Sequence, residues 1–214
     1  MRIDIAVYDG VDELDALGPL EVFRSADQLG AEIETQLVTR LKVEKVRGAY
    51  GVRFRPDAVY EPGEADVLVV TGGGWNSRSE VGAWGEVQRG EWLSLLKEAR
   101  STCQILAGVC TGTMLLAHAG LVGSRRANTH QGAQEELREM GTDVVDDRVV
   151  DDGDLVTCGG VTSGIDLALW IVEREFSKDV ADRVATRMEY RRFRPERRYV
   201  AESNPMIFKY TFEA

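Results

Sequence analysis

Histidine and cysteine are scarce in this chain of 214 residues, which has two of the first and three of the second. His118 and His130, with Cys103, Cys110 and Cys158, offer no Cys-x-x-Cys or His-x-x-x-His spacing, so no metal-ligand set is expected. An odd number of cysteines without paired spacing argues against a disulfide framework and for a reducing compartment. No apolar run reaches the roughly 18 residues that span a bilayer. Met1 to Tyr8 reads as a strand and not as a basic-then-apolar leader, so a cytoplasmic protein without a membrane partner is expected. Phosphate-binding fingerprints are also missing, neither a P-loop nor a dinucleotide motif being present, and no cofactor is expected. Basic residues are outnumbered 26 to 36, for a net charge of −10, a surface that repels nucleic acid. The one basic run, Arg187, Arg191, Arg192, Arg194, Arg197 and Arg198, is interleaved with Glu189 and Glu196 and reads as a solvated or subunit-contacting helix end.

What is present is a 43% apolar content, enough for a sizeable core without disulfides, in a chain of single-domain length. We expect one domain over 1–214, with a core of about 2–192 and a tail over 193–214. Strand and helix patterns alternate, which predicts an α/β domain with a mainly parallel sheet. Arg2–Tyr8, Ile33–Thr39, Ala65–Thr71 and Cys103–Val109 read as strands, and Lys42–Phe54 as smaller strands around Gly48. Asp147–Cys158 reads as a hairpin turned at Asp152-Gly153. Helical patterns cover Val11–Leu29, with a break at Gly18-Pro19, and then Val81–Arg100, Gln131–Met140, Ile165–Glu175 and Asp179–Arg192.

The most informative stretch is Ile105 to Ala117, where a buried-strand run ends in Gly108-Val109-Cys110-Thr111-Gly112 and a helical pattern starts at once. A strand that turns this sharply into a helix lifts the turn side chain clear of the sheet, the geometry of a nucleophile elbow, here carrying cysteine. The helix dipole is expected to lower the thiol pKa. Ligands of doubly wound sheets sit beyond the carboxyl ends of the strands, where Gly72-Gly73-Gly74 and Gly159-Gly160 also fall. The N–H groups near Gly73 and that of Thr111 are expected to form an oxyanion hole beside the sulfur. As acid or base partners, His118 is expected to point away on the helix, while His130 lies in a loop that can reach the pocket. Glu13, Asp15 and Glu21 follow the first strand, and the residue pattern alone leaves the choice among them open. Cys103 and Cys158 read as inert core positions.

Val109-Cys110-Thr111-Gly112 through Leu115-Leu116-Ala117, Ala119-Gly120-Leu121, Arg125-Arg126-Ala127 and Thr129-His130 resemble the ThiJ/PfpI superfamily of the class I glutamine amidotransferase-like fold. Leu14-Asp15, Gly18-Pro19, Glu21-Val22-Phe23, Gly159-Gly160-Val161-Thr162 and Gly164-Ile165-Asp166 match it in the same order. Within the superfamily the chain is most similar to the isonitrile hydratases and to the sensor domains of AraC-type regulators. The resemblance implies a flavodoxin-like three-layer sandwich, a homodimer, and a cofactor-free addition of water to a small isonitrile to yield an N-substituted formamide. Carried over residue by residue, the functional groups are Cys110, Asp15 and Thr111, with Gly72, Gly73, His130 and Gln131 lining the substrate. The hydratases carry tryptophan where this chain has Gln131, and proline where it has Thr71. Thr111 stands where the protease-like members have histidine, which argues against peptidase, amidotransferase and glyoxalase-like chemistry. No helix-turn-helix segment follows the matched part, so DNA binding is not expected. The competing reading is a redox or ligand sensor that uses a reactive Cys110.

Overall fold

Short apolar segments build the frame of the molecule, whose computed structural model describes residues 1–193. In chain order the strands are β1 (Arg2–Ala6), β2 (Glu34–Thr39), β3 (Val46–Arg47), β4 (Arg53–Phe54), β5 (Ala58–Val59), β6 (Val67–Val70), β7 (Ile105–Gly108), β8 (Arg126–Ala127), β9 (Asp143–Val144), β10 (Val149–Asp151) and β11 (Leu155–Cys158). Seven of them form the main sheet in the order β10-β11-β7-β6-β1-β2-β5. Only the β10–β11 pairing in that sheet is antiparallel. Strands β6, β7 and β11 are buried along their whole length, as continuous apolar runs between two helical layers must be. Register aligns Ile5 with Val69, Val69 with Ala107, and Ala107 with Val156, so the carboxyl ends of four strands emerge along one edge.

The helices are α1 (Glu13–Ala26), α2 (Ala83–Arg89), α3 (Glu91–Thr102), α4 (Gly112–His118), α5 (Gln134–Glu139), α6 (Ser163–Glu175) and α7 (Lys178–Arg187). The crossover carrying α1 steps from β1 to β2, and the one carrying α2 and α3 steps the opposite way, from β6 to β7. Right-handed crossovers therefore place them on opposite faces. Helices α1, α6 and α7 pack together, as do α2, α3 and α4. This is the predicted mainly parallel α/β sandwich. Among the described residues no helix is long and apolar enough to cross a membrane.

Several boundaries differ from the sequence reading. The expected break at Gly18-Pro19 is absent, and α1 runs straight through Pro19. A proline inside a helix costs about 3 kcal/mol or more in lost bonding and clash, which burial against α6 offsets. A Cβ on Gly18 would lie 3.0 Å from Ile165 Cγ1, so the pair is a close-packing face. The helix expected over Val81–Arg100 is two helices, because Gly90 adopts φ 76° and closes α2 with its N–H on Glu86 O. The last helix stops at Arg187, and Glu189 turns left-handed with φ 50°. The two-residue strands β5, β8 and β9 are too short to leave a pattern. Arg192 is not solvated: its side chain is 6% exposed and pairs with Glu173 at 2.8 Å and Asp182 at 2.7 Å. Arg194, Arg197, Arg198 and the tail from Pro195 lie outside the described residues.

Candidate functional site

The turn between β7 and α4 is held from both sides. Val109 N–H donates to Val70 O of β6 at 2.9 Å, and Cys110 N–H donates to Gly159 O beyond β11 at 3.1 Å. Between these anchors Cys110 adopts φ 54°, a left-handed conformation that costs a non-glycine residue about 1–3 kcal/mol. The hydroxyl of Thr129 donates to Cys110 O at 2.9 Å and closes the third side. The predicted elbow is present, with its sulfur-bearing residue 4% exposed.

Asp15 meets it from the first turns of α1. Asp12 caps that helix by accepting from Leu14 N at 3.2 Å, and Asp12 N–H donates to Gly72 O at 3.0 Å. Gly72 N–H returns the bond to Asp15 Oδ2 at 2.9 Å, so the start of α1 is stapled to the end of β6. Oδ1 is buried without a nitrogen or oxygen partner, and the Cys110 thiol lies within hydrogen-bonding reach of the carboxyl. Burial pushes the Asp15 carboxyl well above the usual carboxylate range, and the charge of Asp12 adds to it.

The thiol departs from expectation. Burial pushes Cys110 well up, and the charge of Asp15 works in the same direction. The N–H groups of Val161 and Thr111 face the sulfur and pull the other way, but they are the smaller effects. A helix of seven residues cannot offset the desolvation of a nearly enclosed thiolate. The two acids are therefore poised to hold a proton between them, a coupled pair and not a freely ionised thiolate.

The expected oxyanion hole at Gly73 is corrected as well. Gly73 N–H donates to Thr111 Oγ1 at 3.0 Å and Gly72 N–H is spent on Asp15, so both glycines orient side chains and leave no donor free. Thr111 is 3% exposed, and its hydroxyl keeps the Gly73 N–H satisfied. Thr111→Val is expected to leave that N–H unpaired and to lower stability by about 1–3 kcal/mol. Thr111→Ser should restore the wild-type value in chemical denaturation, and equal midpoints for wild type and the valine variant would refute the assignment.

The remaining candidates separate cleanly. His130 stands at the rim, its Nδ1 accepting from Gly132 N at 3.1 Å and lying 3.3 Å from Asn76 Nδ2. Gln131 is exposed and opens a 3-10 turn over Gln131–Ala133, with no hydrogen bond drawing its side chain to the sulfur. His118 is turned away and packs on Trp75 at 5.5 Å, as expected. Glu13 is buried, but its Oε1 accepts from Tyr50 N at 2.9 Å and Val52 N at 3.1 Å, so it holds the β3–β4 turn. Glu21 is exposed. Thr71 donates to Ala6 O at 2.6 Å and accepts Tyr8 Oη on its carbonyl, a structural post rather than a pocket wall. Cys103 and Cys158 are buried. No group of three metal-ligating side chains occurs among the described residues.

Sequence reasoning missed Val161, which turns left-handed with φ 40° to aim its N–H at the sulfur. A β-branched residue carries no signal of that conformation. Asp12 was missed too, although an aspartate before a helical pattern is a readable cap.

The chain matches the DJ-1/PfpI family over residues 1–174. It is 30% identical to an isonitrile hydratase of Pseudomonas putida, over 89% of this chain and 78% of that protein. A deglycase of Pyrococcus abyssi is 28% identical over 83% of this chain and 98% of its own length. The crystal structure of a ThiJ/PfpI family protein from Pseudomonas syringae superposes with a TM-score of 0.78 at 25% identity, covering 94% of this chain and 78% of that one. With the elbow and its buried acid partner in place, the chain belongs to the DJ-1/PfpI family.

Proposed function

We propose that this chain is a cofactor-free, cysteine-dependent hydratase that converts a small isonitrile to an N-substituted formamide. The observation that carries the reading is the buried meeting of Cys110 with an Asp15 carboxyl held above its usual range. An isonitrile reacts at its terminal carbon only when a nucleophile and a proton arrive there together, and this pair supplies both. With one proton shared by the pair, sulfur adds to that carbon as the proton passes through Asp15 to the same carbon, giving a thioimidate and an Asp15 carboxylate. Water then adds to the same carbon, its proton passing through Asp15 to nitrogen. Collapse breaks the carbon–sulfur bond, the hydroxyl proton returns to Asp15, and formamide leaves. The Thr111 and Val161 N–H groups favour sulfur as the departing anion. Similarity to the Pseudomonas putida isonitrile hydratase supports the same reading.

The competing role, oxidation sensing by Cys110, is favoured by thiolate character and exposure, whereas Cys110 is 4% exposed and burial pushes its thiol upward. The test is formamide formation from a panel of aliphatic and cyclic isonitriles, followed by mass spectrometry. Wild type is expected to turn over, and Cys110→Ala to lose at least about 10⁴-fold in kcat. No formamide from wild type, with Cys110 still labelled near neutral pH, would move the assignment to ligand or redox sensing.

A further inference from the structure

Tyr8 stands just past β1, at the carboxyl edge of the sheet, and is buried. Its hydroxyl donates to Thr71 O. The nitrogen bonded to that carbonyl is Gly72 N, whose hydrogen is donated to Asp15 Oδ2 at 2.9 Å. Carbonyl and N–H belong to one planar peptide, so the bond from Tyr8 enters at one end of a single dipole and the bond to Asp15 leaves at the other. A carbonyl that accepts polarises its own amide and makes the N–H a stronger donor. This peptide is held on every side. The Thr71 hydroxyl donates to Ala6 O at 2.6 Å, and a Cβ at Gly72 would lie 2.5 Å from Thr111 Oγ1 and 2.6 Å from Thr111 N. A backbone N–H can only donate, so Oδ2 must offer it a lone pair. When Asp15 is protonated, its proton therefore sits on Oδ1, the oxygen buried without a nitrogen or oxygen partner. Burial, with the charges of Asp15 and Glu86, keeps the Tyr8 phenol protonated well beyond its ordinary range, so it stays a donor.

We propose that Tyr8 is a positioning residue for the proton transfer: through the Thr71–Gly72 peptide its hydroxyl fixes which oxygen of Asp15 carries the proton and strengthens the N–H that faces the other. This role rests on the hydratase reading, in which Asp15 ends the first step as a carboxylate. Negative charge develops on Asp15 as the proton passes to the isonitrile carbon, and the Gly72 N–H bond tightens as it does. The phenol makes that donor better without touching substrate, so it acts on the transfer and not on binding. It also works against the burial that holds Asp15 up, in the same direction as the Gly72 bond itself. The other titratable groups whose charges reach Asp15 or Tyr8 are Asp12 on α1, Cys110 on the elbow, Cys158 at the end of β11 and Glu86 on α2.

Tyr8→Phe keeps the ring and removes the donor, while 3-fluorotyrosine placed at position 8 keeps the hydroxyl and makes it a stronger donor. With an isonitrile that the wild type hydrates, Tyr8→Phe is expected to lose about 3- to 10-fold in kcat at little changed KM. Its pH–kcat profile, whose limbs belong to the Cys110–Asp15 pair, should move to higher pH by about half a unit to one unit, because the carboxylate is less well stabilised. The fluorinated protein should move the other way. A turn merely loosened by the missing hydroxyl would lower kcat without moving the profile, and could not move it in opposite directions in the two proteins. Independently of turnover, the Gly72 amide proton followed by NMR across the same pH range reports the titration of Asp15, and the midpoint should rise in Tyr8→Phe. An unmoved profile, a loss confined to KM, or shifts of the same sign in both proteins would each overturn the positioning role. Absence of isonitrile hydration in the wild type would overturn the hydratase reading and the role in turnover with it. A Gly72 titration identical in wild type and Tyr8→Phe would refute the coupling of Tyr8 to Asp15 alone, whatever the activity.

Discussion

Asp15→Asn is expected to abolish most turnover while making the folded protein more stable than the wild type by a margin that grows as pH rises. The loss follows from removing the acid that protonates the isonitrile carbon, an effect of about 10²–10⁴-fold for a positioned acid–base group. The gain follows from where Asp15 is buried. Its carboxyl is fully enclosed, and desolvation, with the charge of Asp12, holds it well above its ordinary value. The folded state thus keeps a proton that the unfolded chain releases near the usual aspartate pKa of about 4. Between that value and the raised folded-state value the native protein binds more protons than the unfolded chain, so stability falls as pH climbs. Asparagine still presents an oxygen to Gly72 N–H, now 2.9 Å from Oδ2, and cannot ionise. Melting curves of the two proteins should converge near pH 4 and separate towards pH 8. In a chain of this size each 1 kcal/mol corresponds to about 2–4 °C. A gap that stays constant across this range would mean that Asp15 titrates in the fold as it does in the unfolded chain, and the proton-sharing account of the site would fall.

The elbow was legible because everything that makes it is local: an apolar run, a glycine at each side of Cys110 and an immediate helix. Asp15 was not separable from Glu13 and Glu21 by residue type, since all three are carboxylates near the same strand end. What distinguishes them is the arrival of distant backbone. Gly72 N–H reaches Asp15, Tyr50 and Val52 N–H groups consume Glu13, and Glu21 meets solvent. The glycine pair shows the same division. Glycine at a strand end announces a close approach, but not which oxygen approaches, and here Thr111 and Asp15 take the donors assigned beforehand to an oxyanion. The thiol went wrong for a related reason. A helix start is visible in a local pattern, whereas the burial that outweighs its dipole is assembled from three other strand ends. Pro19 and Gly90 show that a breaker residue is decided by its packing. The first is carried through a helix buried on α6, and the second, unpacked and left-handed, divides one.

The local origin of the elbow yields the largest stability effect expected in the molecule. Gly112 opens α4 directly over the carbonyl that ends β6: a Cβ there would lie 2.0 Å from Val70 O and 2.8 Å from the carbonyl carbon of Thr71. Both are backbone atoms, the first of a strand buried at every position and the second of the buried residue that follows it, so neither can swing aside as a side-chain tip would. Gly112 N–H meanwhile donates to Val109 O at 2.8 Å, and that bond sets the pitch of the turn, so the glycine cannot retreat without opening the elbow. Gly112→Ala must then push α4 off β6 or pull Cys110 away from its bond to Gly159. Overpacking of a rigid core costs about 1–3 kcal/mol and occasionally more, and a backbone-to-backbone collision belongs at the upper end. Unfolding in urea should show a midpoint lowered by a corresponding amount with an unchanged slope, and Cys110 should be alkylated faster as the turn loosens. Gly120→Ala is the matched control. That glycine lies just past the same helix, where a Cβ would meet nothing within 4 Å, so its cost is only the strain of φ 77°. If the two variants lost equal stability and labelled at equal rates, the close seat of α4 on β6 would not be what holds the nucleophile in place.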